Sequence, residues 1–380
     1  MTHELARVPR VVIGAGARAR IGDLAAAHAG AGGGVLLVAD PGLERLGIVD
    51  AVESSLRAAG VQPLRFTAFA SDPTLAQADA AAALARREGS RVIVALGGGS
   101  ALDLGKTVAA IATATEPASV YELCAAPFPS RRLASICVPT TAGTGSEATR
   151  TAVLSRADRT KVWLWGDAIK ADEIVLDPEL TLGLTTALTA ATGIDALVHA
   201  VEAATNRNAH PANDAYAHEA IRLVAANLER AVADGRDVGA RAALQRAAML
   251  AGIAIDNAGT AIAHNVGHAL ASLRPLHHGR AVGLAMLATN DWNVQDDDGR
   301  WAACAAAMGA VELGFPRAFE RLLRAVRVQI PLSDSFAGVT AAALAERMAA
   351  PENAPMRQSN RRPVADGDLL EIAARVLSQN

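Results

Sequence analysis

Asp195 and His199 lie four residues apart in an apolar, alanine-rich stretch whose periodicity predicts a helix over 187–204. Four residues is about one helical turn, so the carboxylate and the imidazole share a face. His264 and His268 repeat that spacing in Gly259-Thr-Ala-Ile-Ala-His-Asn-Val-Gly-His, and the pair His277-His278 follows shortly after. Most of the nine histidines of the chain fall between positions 199 and 278. Imidazole and carboxylate without thiolate suit Fe(II), Zn(II) or another first-row divalent ion at a catalytic rather than a structural site. The alternative, hydrogen-bonded core histidines, must explain two such pairs on apolar helices, where an unpartnered polar group is costly. Spacing does not choose between His277 and His278, or between His264 and His268. His210 and His218 stand among polar residues and read as ordinary surface or hydrogen-bonded histidines, not ligands.

Two glycine-bearing loops offer a different chemistry. Arg91-Val-Ile-Val-Ala-Leu96 reads as a buried strand that runs into Gly97-Gly98-Gly99-Ser100, with a helix beginning near Ala101. Glycines let the backbone approach an anion without Cβ interference, and a helix start presents free N–H groups, which is what a pyrophosphate needs. The pattern is not GxGxxG, so it is no standard dinucleotide fingerprint. A second loop, Thr140-Thr141-Ala142-Gly143-Thr144-Gly145-Ser146, follows a second predicted strand, Leu133–Val138. Ligands of wound sheets bind at the carboxyl ends of strands, so both loops could serve one nucleotide. Asp40 ends the strand 35–39, where an acidic residue can accept hydrogen bonds from an adenosine ribose and repel a 2′-phosphate. An aspartate before Pro41-Gly42 also suits a turn, and Asp103 would complement the dipole of a first helical turn.

These residues need rigid elements behind them. Short apolar strands at 10–14, 35–39, 91–96, 133–138 and 174–176 alternate with helical patterns at 43–59 and 75–87. That alternation predicts an α/β domain with a wound, mostly parallel sheet. From about Thr181 the strand signal ends, and 187–204, 214–233 and 241–256 show helical periodicity. The expected division is therefore an α/β domain over 1–180 and an all-helical domain over 181–380.

Composition narrows the class. The 380 residues are 51% hydrophobic and 20% charged, which is globular rather than disordered. A net charge of −3 with no long basic block argues against a nucleic-acid partner. The first residues lack a signal-peptide layout, and no uninterrupted apolar run of membrane-spanning length occurs, so a soluble cytoplasmic protein with no membrane partner is expected. Cys124, Cys137 and Cys304 are far apart and make neither a disulfide framework nor a thiolate metal site.

Taken together, the motifs resemble the iron-dependent (group III) alcohol dehydrogenases, nearly end to end. The resemblance is carried by Gly97-Gly-Gly-Ser-Ala-Leu-Asp-Leu-Gly-Lys106, Pro139-Thr-Thr-Ala-Gly-Thr-Gly-Ser-Glu-Ala-Thr149, Asp177-Pro-Glu-Leu-Thr181 and Thr192-Gly-Ile-Asp-Ala-Leu-Val-His-Ala-Val-Glu202. His264, His268, His278-Gly279 and Arg362-Pro363-Val364 continue it. It implies a dinucleotide-binding α/β domain and a helical domain in the two-domain plan of dehydroquinate synthase, with the active site between them. It implies a metal, Fe(II) or alternatively Zn(II), on Asp195, His199, His264 and His278, and His268 as a proton-relay residue. It carries NAD contacts onto Asp40, Asp72, Gly98, Gly99, Ser100, Asp103, Thr140, Thr141, Thr144, Thr149 and Lys161. The implied activity is NAD(H)-linked interconversion of a small alcohol and its aldehyde or ketone, in a homodimer.

This chain departs from the family pattern at several positions. Gly105 replaces the usual alanine before Lys106, and Thr185 stands where proline is common. Ile255 takes a place often held by an aromatic near the substrate. Arg274, between His268 and His278, is uncommon there; with Arg150 and Thr151 it is a candidate for substrate contact, and a guanidinium would favour a carboxylate, sulfonate or phosphonate on the aldehyde. A lyase of the dehydroquinate-synthase type would need several cationic groups for a phosphate-bearing substrate, and Arg and Lys are only scattered here. A non-catalytic metal or nucleotide binder is the remaining alternative.

Overall fold

The computed structural model describes residues 2–332 and 336–379, in two compact units. The α/β unit comprises Arg7–Thr141 and Ser146–Leu182. In chain order its elements are β1 (Arg10–Ile13), α1 (Ile21–Ala29), β2 (Gly34–Ala39), α2 (Ile48–Ala58), β3 (Gln62–Phe66), α3 (Leu75–Arg87), β4 (Ser90–Gly97), α4 (Gly99–Ile111), β5 (Ala134–Pro139), β6 (Thr151–Ser155), β7 (Lys161–Trp165) and β8 (Glu173–Leu176). Six strands form one parallel sheet in the order β1-β8-β5-β4-β2-β3, and β6 and β7 make a separate antiparallel hairpin. The wound parallel sheet predicted from the alternation is present.

The central strands are apolar along their whole length because helices cover both faces. The period of two then divides them between two cores. Leu36, Val38 and Ile93 pack with Ala78, Ala82 and Leu104 on one side, while Val35, Leu37, Val92 and Val94 pack with Ile21, Leu24 and Val52 on the other. Gly105 is explained here, since a Cβ on it would lie 2.5 Å from Cβ of Ala95, and the glycine lets α4 lie close against β4.

Three local expectations need correction. The helix read over 43–59 is two pieces, a 3-10 helix at Pro41–Leu46 and then α2, broken at Gly47 with φ +67°, a left-handed conformation that glycine adopts without strain. β3 was not expected, because Gln62, Pro63 and Arg65 give it the composition of an edge strand. The hairpin β6–β7 was missed as well; its strands are five residues each, and Arg159 turns between them with φ 71°.

The helical unit comprises the stretch ending at Ala6, Ala142–Gly145 and everything from Gly183 onward. Its helices are α5 (Thr186–Thr205), α6 (Pro211–Ala233), α7 (Val238–Ala258), α8 (Ile262–Leu273), α9 (His278–Asn293), α10 (Arg300–Ala307), α11 (Phe315–Ala325), α12 (Ala341–Met348), α13 (Ala354–Ser359) and α14 (Asp366–Leu377). Thr185 begins the first of them as its N-cap, accepting a hydrogen bond from the Leu188 N–H at 3.2 Å. Alanine and glycine let these helices approach closely. A Cβ on Gly193 would meet Cδ1 of Leu228 at 2.3 Å, and one on Gly283 would meet Ile194 at 2.8 Å. α5 is thereby wrapped by α6, α7 and α9, and nearly all of it is buried.

α7 is long and apolar enough to cross a membrane. Most of its length is buried inside the unit, and Arg241 and Gln245 are buried with it, so it is a core helix. The Arg241 guanidinium bonds Oγ1 of Thr189 at 2.7 Å and the Gly235 carbonyl at 3.0 Å. His210 is not a surface residue. It is buried at the N-cap of α6, with its ring stacked on His3 at 4.5 Å.

Candidate metal centre and nucleotide site

The helical unit gathers four donors. Asp195 and His199 come from one face of α5, His264 from the third residue of α8, and His278 from the first residue of α9. One donor atom from each lies within 4.8 Å of all the others. Around Asp195 Oδ1 stand Nδ1 of His199 at 3.9 Å, Nε2 of His264 at 4.0 Å and Nε2 of His278 at 3.6 Å. Among the described residues this is the one such group. His277, exposed, is the N-cap of α9, whereas the His278 ring turns inward.

The residues present fit a cation. Asp195 Oδ1, His199 Nδ1 and His264 Nε2 are buried and have no hydrogen-bond partner in the protein. Buried polar atoms are normally paired, because an unpaired one costs about 1–3 kcal/mol. Three converging orphans, all able to offer a lone pair, are what a divalent ion would satisfy. Burial pushes the His199 imidazole down to about 4, so near neutrality it is uncharged and able to ligate. Burial acts in the same sense on His264, but the carboxylates of Glu202 and Asp195 outweigh it and hold its imidazole above the ordinary value.

Glycines set the approach of these helices. A Cβ on Gly279 would lie 2.2 Å from the Ala191 carbonyl oxygen and 3.1 Å from Cβ of Asp195. That clash is with backbone, so Gly279→Ala must push the start of α9, and His278 with it, away from α5. The expected cost is about 1–3 kcal/mol of stability, together with weaker metal binding. Calorimetry and metal analysis would check this, and unchanged affinity for the ion would mean that His278 is not a ligand. Gly143 and Gly145 run over α5 and α7. A Cβ on Gly143 would lie 2.7 Å from Thr192, and one on Gly145 would lie 2.6 Å from Gly252 Cα. The Gly143 backbone also hydrogen-bonds the His199 imidazole. Thr144 thus sits with the helical unit, while Thr140 and Thr141 belong to the α/β unit.

His268 stands beside the four donors without being one of them. Its ring centroid is 5.4 Å from that of His278 and 6.3 Å from that of His264, and it is half-buried. Glu202, two turns along α5 from Asp195, was not singled out from the sequence as a site residue. Its carboxylate shares a 2.5 Å hydrogen bond with Nδ1 of His264. The positions 195, 199 and 202, at i, i+4 and i+7 on one helix face, were the signal that could have found it.

In the α/β unit, three strand ends come together at the carboxyl edge of the sheet. Asp40 follows β2, β4 ends on Gly97 with Gly98 next, and Thr140-Thr141 follow β5. Thr140 N–H donates to the Gly97 carbonyl at 2.9 Å and Asp40 N–H donates to the Leu96 carbonyl at 2.9 Å. Gly97, with φ +150°, has no room for a side chain: a Cβ would lie 2.9 Å from Cβ of Asp40. α4 begins at Gly99 with Gly98 as its N-cap and no side chain capping it, which leaves its first N–H groups for an anion. Asp40 Oδ1 accepts from the Gly42 N–H at 2.8 Å, so the carboxylate also holds the turn.

The other candidates carried over from the resemblance divide into two sets. Asp72, at φ 57°, pairs with Lys161 at 2.9 Å, and its N–H donates to the Ser100 hydroxyl at 3.3 Å. Asp103 and Thr149 are tied to the protein itself. Asp103 accepts from the Ser146 hydroxyl and from the Val153 N–H, and the buried Lys106 ammonium reaches the carbonyls of Ser146 at 2.7 Å and Thr151 at 2.5 Å and the Thr149 hydroxyl at 3.3 Å. Lys106 therefore replaces water for a turn that cannot satisfy its own carbonyls. Burial pushes the neighbouring Glu147 carboxyl up to about 7. Arg150 lies over the Trp165 ring at 4.8 Å and within 3.5 Å of Asp167, and Thr151 opens β6. Ile255 is on α7, partly buried; Arg274 is exposed at the end of α8 and donates to the Leu273 carbonyl.

Comparison with known proteins bears on both units. Residues 9–178 match the family model for iron-containing alcohol dehydrogenase, and residues 189–376 match the C-terminal model of the same family. A choline dehydrogenase of Bacillus subtilis is 36% identical over 72% of this chain and 69% of its own length. A 1,3-propanediol dehydrogenase of Klebsiella pneumoniae is 37% identical over 72% of this chain and 71% of its own. Among solved structures, a sulfoacetaldehyde reductase of Bifidobacterium kashiwanohense in complex with NAD+ superposes with a TM-score of 0.91 at 27% identity, covering 100% of both chains. With the helical half supplying a carboxylate and three imidazoles for an ion and the sheet supplying the glycine turn, this chain belongs to the iron-containing alcohol dehydrogenase family and is a metal-dependent, NAD(H)-linked oxidoreductase of small alcohols and aldehydes.

Proposed function

We propose that the chain reduces a short aldehyde with NADH, and runs the reverse oxidation, using an Fe(II) ion held by Asp195, His199, His264 and His278. The observation that carries this is the convergence of three buried, unpartnered donor atoms beside His278. Zn(II) is the alternative ion, because an imidazole and carboxylate set without thiolate accepts both. A bound divalent ion supplies a Lewis acid that polarises the substrate oxygen. The nicotinamide supplies or takes the hydride.

The residues of the chain do the rest. The uncapped start of α4, with Gly98, Gly99 and Ser100, would hold the pyrophosphate, and Asp40 the adenosine ribose. Asp72, Thr140, Thr141, Thr144 and Lys161 are the further candidates for cofactor contact. His268 holds the proton that the substrate oxygen gains or loses, from its place beside His278. His268→Ala is expected to keep the bound ion while lowering kcat about 10²–10⁴-fold. Loss of the ion in that variant would assign His268 to the ligand set instead.

A second reading, an anionic aldehyde as substrate, takes Arg150, which lies over the Trp165 ring at 4.8 Å, as a candidate cation for a sulfonate or carboxylate. A relative named sulfoacetaldehyde reductase, from Bilophila wadsworthia, is 35% identical over 66% of this chain. This reading expects kcat/KM for sulfoacetaldehyde to exceed that for propionaldehyde about tenfold or more, the size of one charge-assisted hydrogen bond. It also expects Arg150→Ala or Arg274→Ala to lose the difference selectively. Equal values for the two aldehydes would leave the neutral short-chain reading alone.

The test of the main proposal is NADH oxidation on an aldehyde panel by protein stripped with a chelator and then titrated with Fe(II) or Zn(II). Activity should return with about one ion per chain. Stripped protein that turns over at the untreated rate would refute it.

A further inference from the structure

Glu202 is among the most deeply buried charged groups of the helical unit, at 2% exposure, and it makes three contacts at once. Its Oε1 accepts the backbone N–H of Ala263 at 2.7 Å and that of His264 at 3.3 Å. Its Oε2 lies at hydrogen-bond distance, 2.5 Å, from Nδ1 of His264. The two N–H groups are those of the second and third residues of α8, whose own N-cap, Ala261, has no side chain to offer them. A carboxylate from α5 therefore caps α8 from outside, where it also meets the positive end of the helix dipole. The same carboxylate grips the ring of a candidate ligand.

We infer that Glu202 is a positioning residue for the metal centre: it fixes His264 as the tautomer protonated at Nδ1, with the Nε2 lone pair turned toward Asp195, His199 and His278. The inference rests on the assignment of those four residues as the ligands. An ionised carboxylate only accepts hydrogen bonds, so the ring nitrogen facing it must carry the proton. The other nitrogen, Nε2, is one of the orphaned buried atoms. Ligating histidines commonly use such a partner, and its removal costs about 10–100-fold in affinity for the ion. What is particular here is that cap and orienting contact are one group. The segment of backbone that carries His264 and the rotation of its ring are set together by a residue on the helix that bears Asp195 and His199.

The experiment is a chelator competition for Co(II) on the full chain, comparing the unaltered protein with Glu202→Gln and following the visible absorption of the bound Co(II). An amide cannot accept at both ends, so it satisfies either the backbone N–H groups or the ring. The expected result is a Kd for Co(II) raised about 10–100-fold in Glu202→Gln, with a changed Co(II) spectrum. A Kd within about twofold of the unaltered value and an unchanged spectrum would overturn the inference, whatever happens to Tm, because the residue would then be a helix cap only. If the unaltered chain binds no Co(II), the ligand assignment itself fails and the inference falls with it. Should Glu202→Gln not fold, ¹⁵N-histidine NMR of the unaltered Zn(II)-loaded protein decides the matter. A low-field Nδ1 proton on His264 supports the inference, and protonation at Nε2 overturns it.

Discussion

His264→Ala should lose its metal and about a thousandfold or more of kcat/KM together. The loss is large because an ion that polarises the substrate oxygen contributes several kcal/mol of transition-state charge stabilisation, and about 1.4 kcal/mol is a factor of ten. His264 is 3% exposed and its Nε2 has no protein partner, so no other hydrogen bond competes with ligation at that atom. His199→Ala should behave in the same way, since its Nδ1 is also orphaned. Removing either ring also opens a cavity of an imidazole's size, so Tm must be followed in the same preparations. A variant that keeps one ion per chain and normal turnover would remove that histidine from the ligand set.

Asp40→Gly is expected to erode a strong preference for NAD(H) over NADP(H). Asp40 stands at the carboxyl end of β2, against Gly97, and its Oδ1 is pinned by the Gly42 N–H. A 2′-phosphate on a ribose held there would put like charges about 5 Å apart, worth about 3 kcal/mol at an effective dielectric constant near 20, or roughly a hundredfold in affinity. Removing the carboxylate should return most of that factor to NADPH. It also deletes the cap of the following 3-10 turn, at about 1 kcal/mol of stability. Asp40→Asn, which retains an acceptor for Gly42, separates the two effects. An unaltered protein that prefers NADPH would show that Asp40 does not face the ribose.

The sequence was most informative where chemistry follows helical spacing. Asp195 with His199 and His264 with His268 could be seen as pairs because four residues make one turn. Which member of the second pair points inward could not, because that depends on how α8 lies against α9, and contacts such as Gly267 with Val282 fix it only in three dimensions. His277 and His278 are adjacent, and the residue that begins α9 and turns inward is chosen by the helix start, not by spacing. Glu202 was passed over because a carboxylate two turns from a ligand looks like any buried acid until the start of α8 is seen to need a cap. The sheet was legible through its buried central strands; β3 and the β6–β7 hairpin, partly polar and at the margins, were not. The burial of His210 was not legible, because its sequence neighbours are polar and the burial comes from distant residues. Gly105 and Thr185, departures from the family pattern, each have a local role, close packing on Ala95 in one case and capping α5 in the other.

The most direct measurement is anomalous diffraction at the iron edge from crystals of the Fe(II)-loaded chain. One peak is expected, within about 2.0–2.3 Å of Asp195, His199, His264 and His278, with no second peak of comparable height. A peak on other residues, or none in crystals whose dissolved protein is active, would contradict the assignment.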